Sequence, residues 1–109
     1  MKATAFALLL LCFSPSPLFA AQVYGTLRES GRPVEPNVKV EVICGNSPYS
    51  AVTDTYGSYR LFARETMKCT LRVHYKGQAP ETSIDSYNDP AHYDFDLVLQ
   101  GQQYQLVRK

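Results

Sequence analysis

A polar stripe near the C-terminus places three side chains with metal-binding and acid–base chemistry at alternate positions. His92, Asp94 and Asp96 form a His-x-Asp-x-Asp pattern, and alternate residues of an extended strand project from one face. Imidazole and carboxylate groups bind divalent metals, and paired carboxylates can act as acid and base. His74 would add a fourth ligand if its strand were a neighbour. Alternating polar residues are also what the solvated face of a sheet requires, so we predict ordinary surface here.

The rest of the chain shows no arrangement of nucleophile, base and orienting group. It contains no Gly-x-Ser-x-Gly elbow. The cluster of Asp85, Asn88 and Asp89 lacks the spacing of a calcium loop and is typical of a turn before Pro90. We therefore predict no catalytic residue, no metal site and no cofactor.

Tyrosine is the residue type with the clearest capacity for recognition. All eight tyrosines lie beyond residue 20, and the chain contains no tryptophan. Three of them, Tyr49, Tyr56 and Tyr87, lie in or beside predicted turns. A tyrosine ring brings a large amphipathic contact area with only two torsions to freeze. We predict that these three residues contact a ligand; the alternative is that their rings merely cover loops and sheet edges.

Short runs in which apolar residues alternate with polar ones fill the chain beyond residue 20, and Gly/Pro/Asn-rich turns separate them. The predicted strands are 23–27, 38–44, 49–53, 58–63, 69–75, a weaker 82–86, 93–99 and 104–107. We expect 49–53 to pair with 58–63, and the last two strands to form a C-terminal hairpin. Strand parity places Tyr59, Tyr75 and Tyr93 in the core. The pattern predicts an all-β fold, a small antiparallel β-sandwich of about seven strands.

The first twenty residues have the three parts of a secretory signal. A positive charge at Lys2 precedes an apolar run over 5–13, and a small-residue site follows at Ala20 and Ala21. We predict a signal peptide over 1–20, cleaved after Ala20 or Ala21. The apolar run is about half of what a membrane-spanning helix needs, so we expect no membrane span. The single domain of residues 21–109 is then periplasmic or secreted.

Two cysteines remain once the leader is removed. Cys44 and Cys69 each occupy the core-facing position of an alternating strand, and an exported domain is exposed to oxidising conditions. We predict a Cys44–Cys69 disulfide; two unpaired buried thiols are the alternative. Cys12 lies inside the apolar run of the leader, away from the place of a lipidated cysteine, so no lipid anchor is expected.

The charges of the predicted mature domain balance. Removal of Lys2 leaves ten of the eleven basic residues against ten acidic ones, and the two signs are interspersed. Binding to a phosphate backbone rewards a basic excess, which this domain lacks. We therefore predict no nucleic-acid partner and expect a protein or glycan of the cell envelope.

Residues 53–59 read Thr-Asp-Thr-Tyr-Gly-Ser-Tyr and have the chemistry of a tight hairpin turn. The carboxylate of Asp54 can cap the turn, Gly57 can adopt a positive φ, and Tyr59 can start the returning strand with its ring inward. These features predict a turn before any family is considered.

The same segment resembles the Thr-Asp-x-x-Gly-x-Tyr signature of carboxypeptidase regulatory-like domains, and Gly25 in the first predicted strand agrees with that family. The resemblance covers about residues 23–99 and implies the transthyretin-like (prealbumin-like) β-sandwich. It also implies an accessory role in folding, adhesion, or protein or carbohydrate binding. We expect a non-catalytic binding or protein-interaction module, with a carbohydrate-binding module as the alternative. A small hydrolase or a metal-binding protein ranks behind both.

Overall fold

Alternation of buried and exposed side chains along each strand decides which face packs inward. The computed structural model describes residues 21–86 and 90–109, and these form two sheets packed face to face with no helix. The strands are β1 (Ala21–Glu29), β2 (Arg32–Pro33), β3 (Lys39–Cys44), β4 (Ser47–Val52), β5 (Ser58–Ala63), β6 (Lys68–His74), β7 (Glu81–Asp85), β8 (Ala91–His92), β9 (Phe95–Gln100) and β10 (Gln103–Arg108). The predicted all-β sandwich is confirmed. The predicted count of about seven strands is too low, mainly because β2 and β8 are pairings of only two residues, too short to show alternation.

Strand β1 organises the larger sheet. It pairs antiparallel with β5 along one edge and with β8 and β9 in parallel along the other, and β2 folds back onto its end. Strand β10 extends this six-stranded sheet beyond β9. The other sheet is antiparallel throughout, in the order β4-β3-β6-β7.

The core lies between the inner faces of the two sheets. The buried side chains come from alternate positions of β1, β3, β5, β6 and β9, and the largest fully buried apolar ones are Leu27, Leu71, Leu97, Val23, Val40, Val42 and Val73. The predicted burial of Tyr59, Tyr75 and Tyr93 is confirmed. No helix in the described parts of the chain has the length and apolarity that a membrane crossing requires.

The predicted disulfide is present. Cys44 and Cys69 are both buried, on the adjacent strands β3 and β6, with their Cα atoms 4.5 Å apart. The C-terminal hairpin is also confirmed, because β9 pairs with β10 in register from Gln100 to Phe95. The predicted leader over 1–20 lies outside the described residues.

The turn at residues 53–57 has the predicted chemistry but a different role. Asp54 Oδ1 accepts the backbone N–H groups of Tyr56 (2.8 Å) and Ser58 (3.0 Å), and Gly57 has a φ of 74°. The predicted pairing of 49–53 with 58–63 is nevertheless wrong, because β4 pairs with β3 and β5 pairs with β1. The turn therefore carries the chain from one sheet to the other. Local turn chemistry cannot distinguish this crossing from a hairpin, since both need the same backbone angles.

The strand predicted over 93–99 is interrupted at Tyr93 and Asp94. The Tyr93 N–H donates to the carbonyl of Tyr24 (2.8 Å), and the Tyr59 hydroxyl donates to the carbonyl of Tyr93 (2.6 Å). These bonds press the Tyr93 peptide onto Gly25, where any Cβ would overlap the Tyr93 carbonyl oxygen. The absence of a side chain at Gly25 thus permits the close approach of β8 and β9 to β1.

Candidate functional site

The outer faces of the two sheets differ in character. On the four-stranded sheet, opposite charges pair across neighbouring strands: Arg72 with Glu81 (3.3 Å) and Lys68 with Asp85 (3.4 Å), while Nε2 of His74 lies 2.9 Å from a carboxylate oxygen of Glu41. These pairs neutralise each other at the surface, where each contributes little to stability. This face is a solvated surface on which most charged side chains of the described residues are paired.

His74 belongs to this charged face, whereas His92 lies on the other sheet. The two predicted ligand groups therefore point away from opposite sides of the sandwich. In residues 21–86 and 90–109, no three His, Cys, Asp or Glu side chains are grouped closely enough to hold a metal ion. The stripe itself is solvent-facing, with His92 exposed and Asp94 and Asp96 half-buried.

An open groove of about 630 Å³ lies along β1 and β5 of the six-stranded sheet and reaches Val52 at the end of β4. We call it the β1 groove; its lining residues are Tyr24, Gly25, Thr26, Val52, Asp54, Ser58, Tyr59, Arg60 and His92. The strand register brings three of these residues side by side: Tyr24 of β1 lies opposite Arg60 of β5 and opposite His92 of β8. Three planar side chains thus form a row across three strands.

The members of this row are packed against one another. The rings of Tyr24 and His92 are stacked with centroids 4.8 Å apart and planes within 3° of parallel. From the β5 side, the Arg60 guanidinium carbon lies 5.9 Å from the centre of the Tyr24 ring, within reach of a cation–π interaction. Arg60, Tyr24 and His92 therefore form a continuous row of planar groups along the groove.

Asp94 fixes the position of His92. Its Oδ1 accepts the backbone N–H of Thr26 (2.8 Å), the Thr26 hydroxyl (3.0 Å) and Nε2 of His92 (3.0 Å). Partial burial raises the pKa of Asp94, but the two Thr26 hydrogen bonds and His92 outweigh it, so the pKa lies below its usual value. Asp94 is therefore ionised at neutral pH and holds His92 in place. Within the polar stripe, Asp94 thus positions His92, a residue that lines the groove.

Phe62 extends this face along β5. It follows Arg60 by two residues on the same side of the strand, and 54% of its surface is exposed. Its ring therefore offers an exposed apolar surface two residues from the groove residue Arg60. The alternation in 58–63 predicts that Arg60 and Phe62 project outward from the same face of their strand. The sequence does not predict the row with Tyr24 and His92, which depends on how β5, β1 and β8 pair.

The three tyrosines predicted as ligand contacts are not gathered in one place. Tyr56 is 73% exposed in the 53–57 turn, next to the β1 groove residue Asp54. Tyr49 is half-buried in β4, and its hydroxyl donates to Glu65 (2.6 Å), a bond that raises the pKa of Tyr49. Glu65, the partner of Tyr49, follows the end of β5, whereas Tyr56 precedes its start. The length of β5, about 20 Å, therefore separates Tyr49 from Tyr56. Tyr87 lies outside the described residues.

Most of the tyrosine excess has a structural explanation. The hydroxyl of Tyr93 accepts the backbone N–H of Asp85 in the opposite sheet (3.0 Å). At one end of the sandwich, the hydroxyls of Tyr75 and Tyr104 donate to the two carboxylate oxygens of Glu29 at 2.6 and 2.7 Å. Buried rings thus fill the core while their hydroxyls connect separate elements, which phenylalanine could not do.

The Glu29 cluster makes stability depend on pH in two windows. The hydrogen bonds from Tyr75 and then Tyr104 hold the pKa of Glu29 below its usual value, so the stabilisation is present above that value and is lost as pH falls through the lowered one. Burial, and then the bond to Glu29, raises the pKa of Tyr75 to about 12. The stabilisation from neutral Tyr75 is therefore complete below about pH 10 and is lost as pH rises towards 12.

We expect Glu29→Gln to lower the free energy of unfolding at pH 7 by about 1–2 kcal/mol, because it replaces charge-assisted hydrogen bonds with neutral ones. The difference from wild type should shrink as the pH falls through the lowered pKa of Glu29, where the native carboxylate takes up a proton. Urea unfolding from pH 3 to pH 11 measures this. Glu81→Gln, which breaks only an exposed ion pair, is the control and should change little. A pH-independent difference would contradict the assignment.

Comparison with known proteins gives fold information only. No protein-family model and no curated protein match the chain. It is similar to part of a protein from Bacteroides uniformis with a proposed carbohydrate-binding role: TM-score 0.53, 15% identity, 70% of this chain and 40% of that chain. A proposed cell-adhesion protein from Bacteroides ovatus gives TM-score 0.47, 8% identity, 83% of this chain and 43% of that chain. A 9R-lipoxygenase from Cyanothece gives TM-score 0.43, 18% identity, 76% of this chain and 17% of that chain. The chain thus spans less than half of each, and the first similarity supports the β-sandwich fold.

Proposed function

We propose that this is an exported, non-catalytic binding domain whose outer six-stranded face binds a saccharide. The observation that carries the proposal is the row of Arg60, Tyr24 and His92 in an open groove, with the exposed Phe62 ring two residues beyond Arg60 on the same strand face. On the opposite face, most charged side chains are paired, and none of its described residues is an exposed phenylalanine or tyrosine. We also propose that residues 1–20 are a cleaved leader, which the intact mass of the exported protein tests.

The chemistry of a sugar matches this arrangement. A pyranose ring has a patch of C–H groups on its faces and hydroxyls around its rim. Phe62 offers an exposed apolar ring on which such a patch can pack, and Arg60, Tyr24 and Ser58 place donors and acceptors within one or two strand positions. Binding sites of this kind combine apolar contact with a few well-placed polar groups.

Other observations agree with this proposal. The similarity in fold to the Bacteroides uniformis protein with a proposed carbohydrate-binding role is consistent with it. The Cys44–Cys69 bond is typical of proteins that leave the cytoplasm. The resemblance of residues 53–59 to carboxypeptidase regulatory-like domains, a family that remains part of our proposal, implies an accessory binding role. Tyr56, beside the groove, is proposed as a peripheral contact.

We expect Phe62→Ala to weaken saccharide binding at least about tenfold while changing the free energy of unfolding by less than about 1 kcal/mol, since the ring is exposed. Binding is screened on a glycan array and then quantified by calorimetry. Leu99→Ala is the matched control, because Leu99 is 52% exposed but lies at the far end of β9, away from the row of Tyr24, Arg60 and His92. Tyr56→Ala should weaken binding less than Phe62→Ala.

Two results would overturn the proposal. One is a wild-type protein that binds no saccharide on the array but retains a protein partner from the native envelope. The other is a Phe62→Ala variant, correctly folded, whose saccharide affinity equals that of wild type and of Leu99→Ala.

A further inference from the structure

The charged side chains of the β1 groove differ in whether they have partners within the described residues. Arg60 is exposed, and its guanidinium forms no ion pair with any carboxylate of the described residues. Arg72 of the opposite face, by contrast, pairs with both Glu41 and Glu81. Arg60 is therefore a cation at the groove with its hydrogen-bonding capacity unused within the described chain.

The acidic groups near the groove already have partners. Oδ1 of Asp54, a lining residue, accepts two backbone N–H groups, which hold the carboxylate in the turn. Oδ1 of Asp94 is directed to Thr26 and His92. The negative charges thus hold the turn and the His92 ring in place, while the positive charge of Arg60 remains directed to solvent.

The geometry of the Arg60 guanidinium favours one kind of anionic group on the ligand. A guanidinium is planar and presents a fork of N–H donors that matches the two oxygens of a carboxylate. Its contact with the Tyr24 ring restricts its position, so less freedom is lost on binding. The exposed ring of Phe62 stands two residues away on the same strand face.

We infer that the groove is selective for an acidic saccharide whose carboxylate pairs with Arg60 while a sugar ring packs on Phe62. This inference rests on the proposed function and specifies its ligand class. It makes Arg60 the residue that sets specificity and Phe62 the residue that supplies affinity for sugar rings in general.

The test compares tetragalacturonate with its fully methyl-esterified form, which has the same backbone without the charge. We expect the wild-type protein to bind the acid about ten to a hundred times more tightly than the ester, as is usual for a charge-assisted hydrogen bond. Arg60→Gln should reduce the affinity for the acid to that for the ester and leave the ester unchanged. Arg64→Gln, an exposed arginine outside the groove lining, is the control. Arg60→Lys, which keeps the charge but not the fork, should recover only part of the preference.

The outcomes separate the two proposals. Equal affinity for acid and ester in the wild type, with both lost in Phe62→Ala, would overturn the acidic preference and leave saccharide binding standing. Binding of neither, on an array that also holds neutral and sulfated oligosaccharides, would overturn both. Tighter binding of a sulfated oligosaccharide than of its carboxylated counterpart would overturn the assignment to a carboxylate, as would an Arg60→Gln variant that keeps its preference for the acid.

Discussion

Replacing Gly25 with alanine is expected to lower the free energy of unfolding by more than about 3 kcal/mol, or to prevent folding. The added Cβ would overlap the carbonyl oxygen of Tyr93 and lie 3.0 Å from a carboxylate oxygen of Asp94. The obstacle is backbone, which cannot move away as a flexible side chain could. Relief requires β8 and β9 to separate from β1, which would also break the Tyr59 and Thr26 hydrogen bonds to this segment.

Urea unfolding followed by circular dichroism measures the effect of Gly25→Ala. Gly31→Ala is the matched control: Gly31 has a φ of 79° but nothing within 4 Å of an added Cβ, so only backbone strain of about 1–2 kcal/mol is expected. If Gly25→Ala proved as stable as the control, the close approach of β8 and β9 to β1 would be wrong, and the position of His92 with it.

The second large effect concerns the disulfide. Replacing Cys44 and Cys69 together by alanine should cost about 3.5 kcal/mol in the chain-entropy treatment, because the bond closes a loop with a sequence separation of 25. That loop contains β4 and β5, which belong to different sheets. The bond therefore restrains the segment that crosses from one sheet to the other, and a domain of this size has little stability to spare.

Equilibrium unfolding of the double variant and of the reduced wild-type protein should give similar losses. Thiol titration of the denatured, unreduced mature protein should find no free thiol. Two titrating thiols would show that the bond is absent, and a double variant as stable as wild type would show that it does not restrain the fold.

The sequence predicts the local features of this fold better than its long-range ones. Alternation alone identifies the inward faces of Tyr59, Tyr75 and Tyr93, and the parity of Cys44 and Cys69 predicts their bond. These features follow from the two-residue period of a strand, which can be read directly from the order of apolar and polar residues.

Strand pairing is where prediction from the sequence fails. The turn at Asp54 and Gly57 looks the same whether its strands pair with each other or enter different sheets. The same limit hides the candidate site, since Arg60, Tyr24 and His92 become neighbours only through the register of β5, β1 and β8. The number of tyrosines near turns suggests a ligand site there, but most tyrosine hydroxyls instead bond to other elements of the sandwich.

The most direct test of the proposed site is a map of the surface that a saccharide contacts. Amide chemical shifts of the ¹⁵N-labelled mature protein are followed by NMR while neutral and acidic oligosaccharides are added in turn. We predict that the perturbed amides cluster on the six-stranded face around Tyr24, Arg60, Phe62 and His92, while Arg72 on the opposite face stays unchanged. Perturbations confined to the four-stranded face, or no perturbation by any saccharide, would contradict the assignment of the β1 groove as the binding site.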